Sequence, residues 1–176
     1  MLETALETAV SPRFGSVTVG TGKRSMVFDY GRTYVVLEKN KERGLKIASD
    51  FLARGSEVLC ISRKHPDLLR DNWAGKVPEQ IWLSERQGVR NISPANLSKL
   101  VRRMIEFTKG HEHAVVVLDG IEYLALFNEF SHVQIFVEHL NDVTMETSSV
   151  FLITIDPRSF DLRSLARLKR FAEVVE

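Results

Sequence analysis

Ala114–Leu118 (AVVVL) is a continuous apolar run, mostly β-branched, that ends in Asp119. A run of this kind reads as a strand buried on both faces, as in the middle of a parallel sheet. The chain on either side alternates between strand-like and helix-like patterns. Tyr34–Glu38 (YVVLE) reads as a strand, and Lys41–Arg54 places Leu45, Ala48, Phe51 and Leu52 at helical spacing before Gly55. Glu57–Ser62 is a second strand, Pro66–Trp73 a short helix and Gln80–Ser84 a third strand. Ser93 as cap and Pro94 in the first turn predict a helix carrying Leu97, Leu100, Val101, Met104, Ile105 and Thr108. After the run ending at Leu118, Ser131 is the predicted cap of a helix with Val133, Phe136, Val137, Leu140 and Val143 on one face. Ser149–Ile155 is a strand, Asp161–Arg170 a basic helix and Ala172–Val175 a last strand.

Strands and helices therefore alternate, and each helix is long enough to cross between parallel strands. A three-layer α/β sandwich with a mainly parallel central sheet follows. Residues before Thr33 fit this scheme less well. Leu2–Val10 has weak helical periodicity, Ser11-Pro12 breaks it, and Val17–Val19 and Met26–Phe28 flank a turn, GTGKR. We expect residues 1–32 to form an N-terminal arm or hairpin and residues 33–176 the α/β domain.

Charge narrows the function. The chain has 24 Lys and Arg against 23 Asp and Glu, a net charge of +1, which argues against a dedicated nucleic-acid binder. The single cysteine, Cys60, lies in an apolar strand pattern and reads as a buried hydrophobe rather than a reactive thiol. No run is apolar for the ~18 residues of a membrane span, and the first residues lack a basic leader. A cytoplasmic protein is the default expectation.

Two patterns resemble phosphate-binding loops, and neither completes one. Gly20-Thr21-Gly22-Lys23-Arg24-Ser25 has Ser25 where a dinucleotide fingerprint needs its third glycine. For a Walker-type loop it has Val17 in place of the first glycine and Arg24 in place of Ser or Thr. A hairpin turn is the better account. In phosphate-loop ATPases the loop joins the first strand to the first helix. Here that junction is Glu38-Lys39-Asn40-Lys41-Glu42-Arg43-Gly44, with one glycine and two glutamates. Close approach of an anion needs glycines and no neighbouring carboxylates. Lys39 and Lys41 are the candidate anion ligands there.

Asp119 and Glu122 are the candidate catalytic pair. An acidic residue at the carboxyl end of a buried strand is how such ATPases present the aspartate associated with magnesium, and Glu122 would polarise a water. The competing reading has Asp119 capping the next turn and Glu122 solvated or salt-bridged, and we favour it because the phosphate loop is missing. Other carboxyl-end loops bring Arg63, Lys64, His65 and Arg86 to the same rim, as candidate anion ligands or as ordinary surface polarity. His111, His113, His132 and His139 are not spaced for one ion, so no metal is expected. Tyr123–Phe130 (YLALFNEF) is either core or an interaction surface, carried by Tyr123, Leu126, Phe127 and Phe130.

The stretches ISRKHP (Ile61–Pro66), IWLS (Ile81–Ser84), ISPANL (Ile92–Leu97), VVLDGIEYL (Val116–Leu124) and ITIDPRSFD (Ile153–Asp161) resemble the archaeal domain-of-unknown-function family 835. The resemblance runs from about Tyr34 to Glu176. It implies a RecA-like core of degenerate phosphate-loop type and company with archaeal sensor proteins, such as those with PAS and histidine-kinase modules. It carries over no catalytic residue. The resulting expectation is a non-catalytic regulatory or scaffolding domain in signal transduction, without cofactor, that binds a protein partner or itself. The alternative is an ATPase-like domain that binds ATP and magnesium through Asp119, Glu122 and Lys39 or Lys41.

Overall fold

The computed structural model describes residues 15–20, 25–40 and 42–175. The Leu2–Val10 periodicity, the turn residues 21–24 and Lys41 lie outside them. Chain order is β1 (Ser16–Val19), β2 (Met26–Asp29), β3 (Arg32–Leu37), α1 (Arg43–Ala53), β4 (Val58–Ser62), β5 (Glu79–Leu83) and β6 (Asn91–Ile92). It continues with α2 (Leu97–Gly110), β7 (Val115–Asp119), α3 (Ile121–Phe127), α4 (Phe130–Thr147), β8 (Val150–Ile155), α5 (Leu162–Lys169) and β9 (Glu173–Val175).

Seven strands form one parallel sheet in the order β6-β5-β4-β7-β8-β3-β9. The run ending in Asp119 is its middle strand. Period-two alternation splits β7 between two cores. Val116 and Leu118 face α2, α3, α4 and α5, meeting Leu100, Leu124, Phe136 and Leu165. Val115 and Val117 face α1, meeting Leu45, Ala48 and Phe51. Both faces are covered, which is why the strand is apolar at every position.

Among the described residues α1 covers the second face, and the antiparallel β1–β2 hairpin helps it. Val19 and Phe28 of the hairpin are buried there. Phe28 packs edge-on against Tyr34 at 4.8 Å and tilted against Phe51 at 5.3 Å between ring centroids. Cys60 is buried in the same core, as its apolar setting predicts. Burial pushes its thiol far up from the ordinary value, and the nearby charge of Asp119 adds to the shift.

Several boundaries differ from the pattern. Helix α2 starts at Leu97 and not after Ser93: Asn96 is the cap, accepting from Lys99 N at 3.1 Å. Ser93 closes its own tight turn instead, accepting from Ala95 N and Asn96 N. Helix α4 starts at Phe130, with Glu129 rather than Ser131 at the cap position. Pro66–Trp73 forms two single 3₁₀ turns, Pro66–Leu68 and Arg70–Asn72. The two-residue strand β6 was too short to give a pattern.

Candidate functional site

All seven strands are parallel, so their carboxyl ends share one rim. Side chains on the α1 side of that rim come from alternate positions of β3, β4, β7 and β8. Register fixes their levels. Ser62 of β4 pairs directly with Asp119 of β7, and Thr154 of β8 follows Ile153, the partner of Leu118. Ser62, Asp119 and Thr154 therefore stand abreast.

Asp119 is 4% exposed and its carboxylate lies between the two hydroxyls. Ser62 Oγ donates to Oδ2 at 2.9 Å and Thr154 Oγ1 to Oδ1 at 3.2 Å. Ser62 Oγ also accepts from Lys64 N at 3.0 Å. Each carboxylate oxygen thus has a donor, the condition for burying a charge. Gly120, not Asp119, holds the cap position of α3.

The β3–α1 junction is the second half of this arrangement. The first N–H groups of a helix have no partner within it and attract anions. Glu42, at the cap position of α1, makes no side-chain cap bond. Glu38 reaches forward from the end of β3 instead. Its Oε2 accepts from Arg43 N at 2.7 Å and its Oε1 from Gly44 N at 3.2 Å. The carboxylate occupies the seat that a phosphate takes at the corresponding helix in a phosphate-loop protein. Gly44 lets this happen: a Cβ there would overlap Thr154 Cγ2. Lys39 is exposed beside this junction.

Glu122 Oε1 accepts from Asp156 N at 2.7 Å, tying α3 to the end of β8. Asp156 is in turn held by Arg158, whose Nε and Nη2 donate at 3.0 and 2.7 Å.

Arg63, Lys64, His65 and Arg86 gather at the other end of the rim, over β4 and β5. Arg63 N donates to Asp119 O and Arg63 Nη1 to Leu83 O. The guanidinium carbon sits 4.5 Å from the ring centroid of Tyr123 and 5.8 Å from that of Trp82. Trp82 Nε1 returns a hydrogen bond to Arg63 O at 3.0 Å. His65 meets Trp82 edge-on at 4.7 Å and accepts from Asp67 N through Nδ1. Arg86 is exposed, its backbone N donating to Ser84 Oγ.

Tyr123–Phe130 divides between core and surface. Leu124 is fully buried. Tyr123, Phe127 and Phe130 are half-buried, with Tyr123 edge-on to Phe127 and Phe130 edge-on to Phe160. Leu126 is 78% exposed. Among the described residues no cluster of His, Cys, Asp and Glu is arranged for a metal. No helix among them is long and apolar enough to cross a membrane.

Sequence reasoning used Glu38 only as an argument against phosphate and missed its bonds to α1. It passed over Ser62 and Thr154 as partners of Asp119, and Trp82 as a partner of Arg63. A hydroxyl at the end of each strand flanking an acidic strand end would have been the signal, had the strand order been known.

The fold is similar to that of solved RecA-like proteins. One is the KaiC-like protein of the hyperthermophilic archaeon Pyrococcus horikoshii, with a TM-score of 0.55 and 16% sequence identity. The match covers 76% of this chain and 66% of that one, so about a third of the archaeal protein has no counterpart here. No curated protein matches the sequence. The profile of one family, described as a protein of unknown function (DUF835), matches residues 37–171. That match covers most of the chain, which belongs to the DUF835 family.

Proposed function

We propose that this RecA-like domain is a non-catalytic regulatory or scaffolding module that acts by binding a protein partner or a second copy of itself. The observation that carries this reading is the Glu38 carboxylate on the first free N–H groups of α1. A nucleotide phosphate would have to displace a charge-assisted pair and then sit beside a negative charge. Asp119, the residue best placed to hold magnesium, has both oxygens engaged by Ser62 and Thr154. The ATPase alternative requires the Glu38 carboxylate to leave the N–H groups of Arg43 and Gly44.

The interaction surface in this reading is the exposed side of α3 and the start of α4, with Leu126 at its centre and Tyr123, Phe127 and Phe130 around it. An exposed leucine among half-buried aromatic rings is the usual make-up of an interface core. In this reading the module works in the cytoplasm, in archaeal signal transduction, which is what the family resemblance suggests.

Thermal unfolding with millimolar ATP and magnesium tests the proposal. Unchanged melting temperature is expected. A rise of several degrees that disappears in Asp119→Ala would establish the nucleotide reading instead.

A further inference from the structure

We propose that the corner of the rim over β4, β5 and α3 is a docking site for an acidic amphipathic segment of a partner protein. This deepens the reading above and rests on it.

The corner is rigid. Arg63 is fixed by its backbone to Asp119, by its guanidinium to Leu83 O, and by the rings of Tyr123 and Trp82 on its flanks. Gly120 allows the β7 turn to press close: a Cβ there would lie 2.8 Å from Leu83 Cδ1 and 3.4 Å from Arg63 N. The loop after β5 is tied down as well, by Arg90 O accepting from Trp82 N and by Asn91 Nδ2 donating to Arg86 O. A preformed site loses little freedom on binding.

The corner is also basic and unbalanced. Arg63, Lys64, Arg86 and Arg90 are all exposed. Among the described residues none of them lies in an ion pair, whereas nearby Asp67 is already matched by Arg70. Glu85 is the acidic residue of the β5–β6 loop, so the corner stays net positive. The elements of this corner also carry exposed apolar side chains: Leu68 in the turn after β4 is 73% exposed, Leu126 on α3 is 78% exposed, and Val89 in the β5–β6 loop is fully exposed. Carboxylates for the cations and aliphatic or aromatic side chains for the leucines describe one acidic amphipathic segment.

Nucleic acid fits less well. The faces of Trp82 and Tyr123 flank Arg63, and His65 meets Trp82, so these rings are not open platforms for bases.

The test is titration of the full chain with a fluorescein-labelled synthetic peptide of glutamates and leucines in helical alternation. Anisotropy and tryptophan emission are the readouts. Saturable binding that weakens with added salt is expected. Substituting glutamine for every glutamate in the peptide should abolish it. The Lys64→Glu/Arg86→Glu double variant, both exposed positions, should lose on the order of tenfold or more in affinity while keeping the wild-type melting temperature. Arg63→Lys should bind more weakly than wild type, because it keeps the charge and loses the planar contact between two rings.

Three outcomes overturn the proposal: equal binding of the glutamine peptide, unchanged affinity in the double variant, or tighter binding of a single-stranded oligonucleotide than of the peptide. Any of these can occur with no melting shift from ATP, which would leave the interaction reading intact and remove only the acidic partner. A melting shift from ATP would remove that reading itself.

Discussion

The two ends of the carboxyl rim hold their charges in opposite ways. Over β7, β8 and β3 the charges turn inward. Asp119 is locked by Ser62 and Thr154, Glu38 by α1, and Glu122 by Asp156. Over β4 and β5 the charges turn outward, with Lys64, Arg86 and Arg90 exposed and their loops pinned by backbone bonds. The first region spends its polar groups on stability. The second leaves them for something else. In the proposed reading, the place where a RecA-like fold would hold a nucleotide is part of the scaffold, and the adjacent corner is the available surface.

Substitutions should separate the two ends, with stability responding at one and binding at the other. The largest effect is expected for Gly44→Ala. The new methyl group overlaps Thr154, and rotating Thr154 away breaks its bond to Asp119. About 3 kcal/mol should be lost in urea unfolding. Asp119→Ala follows, at roughly 2 kcal/mol, because it leaves two inward-facing hydroxyls without their acceptor. If Asp119 were instead a metal ligand in an open site, its removal would leave stability nearly unchanged. Glu38→Ala should cost about 1 kcal/mol, the usual value of a helix N-terminal carboxylate. At the other end, Lys64→Ala and Arg86→Ala should stay within about 0.5 kcal/mol of wild type. A larger loss there would erase the contrast.

The smallest effect is a pH dependence. Asp161 caps α5, accepting from Ser164 N at 2.8 Å and from Ser164 Oγ at 3.1 Å. Those bonds, the backbone one first, hold its carboxyl below its ordinary value of 3.8. A folded-state value below the unfolded one means the contribution is complete above the ordinary range and is lost as pH falls through the folded value. Asp161→Asn should therefore flatten the acid limb of the stability curve slightly, through a small loss at neutral pH and none well below the folded value.

Much of the fold was legible because burial on both faces leaves a plain mark. The unbroken apolar run of β7 gave the middle of the sheet, and the spacing of Leu100, Met104 and Thr108 gave the inner face of α2, although Phe107, which the predicted stripe left out, is buried there too. The start of α2 was misplaced because Ser93 and Asn96 are both good caps and Ser93-Pro94 satisfies its hydroxyl in a local turn. The site was less legible. That Lys39-Asn40 and its neighbours make a poor phosphate loop follows from residue types alone. That Glu38 fills the seat depends on the β3–α1 geometry. That Ser62 and Thr154 flank Asp119 depends on strands far apart in sequence being paired in register. Local pattern carries no information about such pairing.

The account stands most directly on the α1 N-terminus. An amide nuclear magnetic resonance spectrum of the protein, recorded while magnesium and ATP are raised to millimolar concentration, reads the N–H groups of Arg43 and Gly44 individually. Glu38 holds both, so neither resonance should move. Saturable shifts of these two amides, accompanied by Ser62 and Thr154, would contradict the account and show that the carboxylate yields its place to a phosphate.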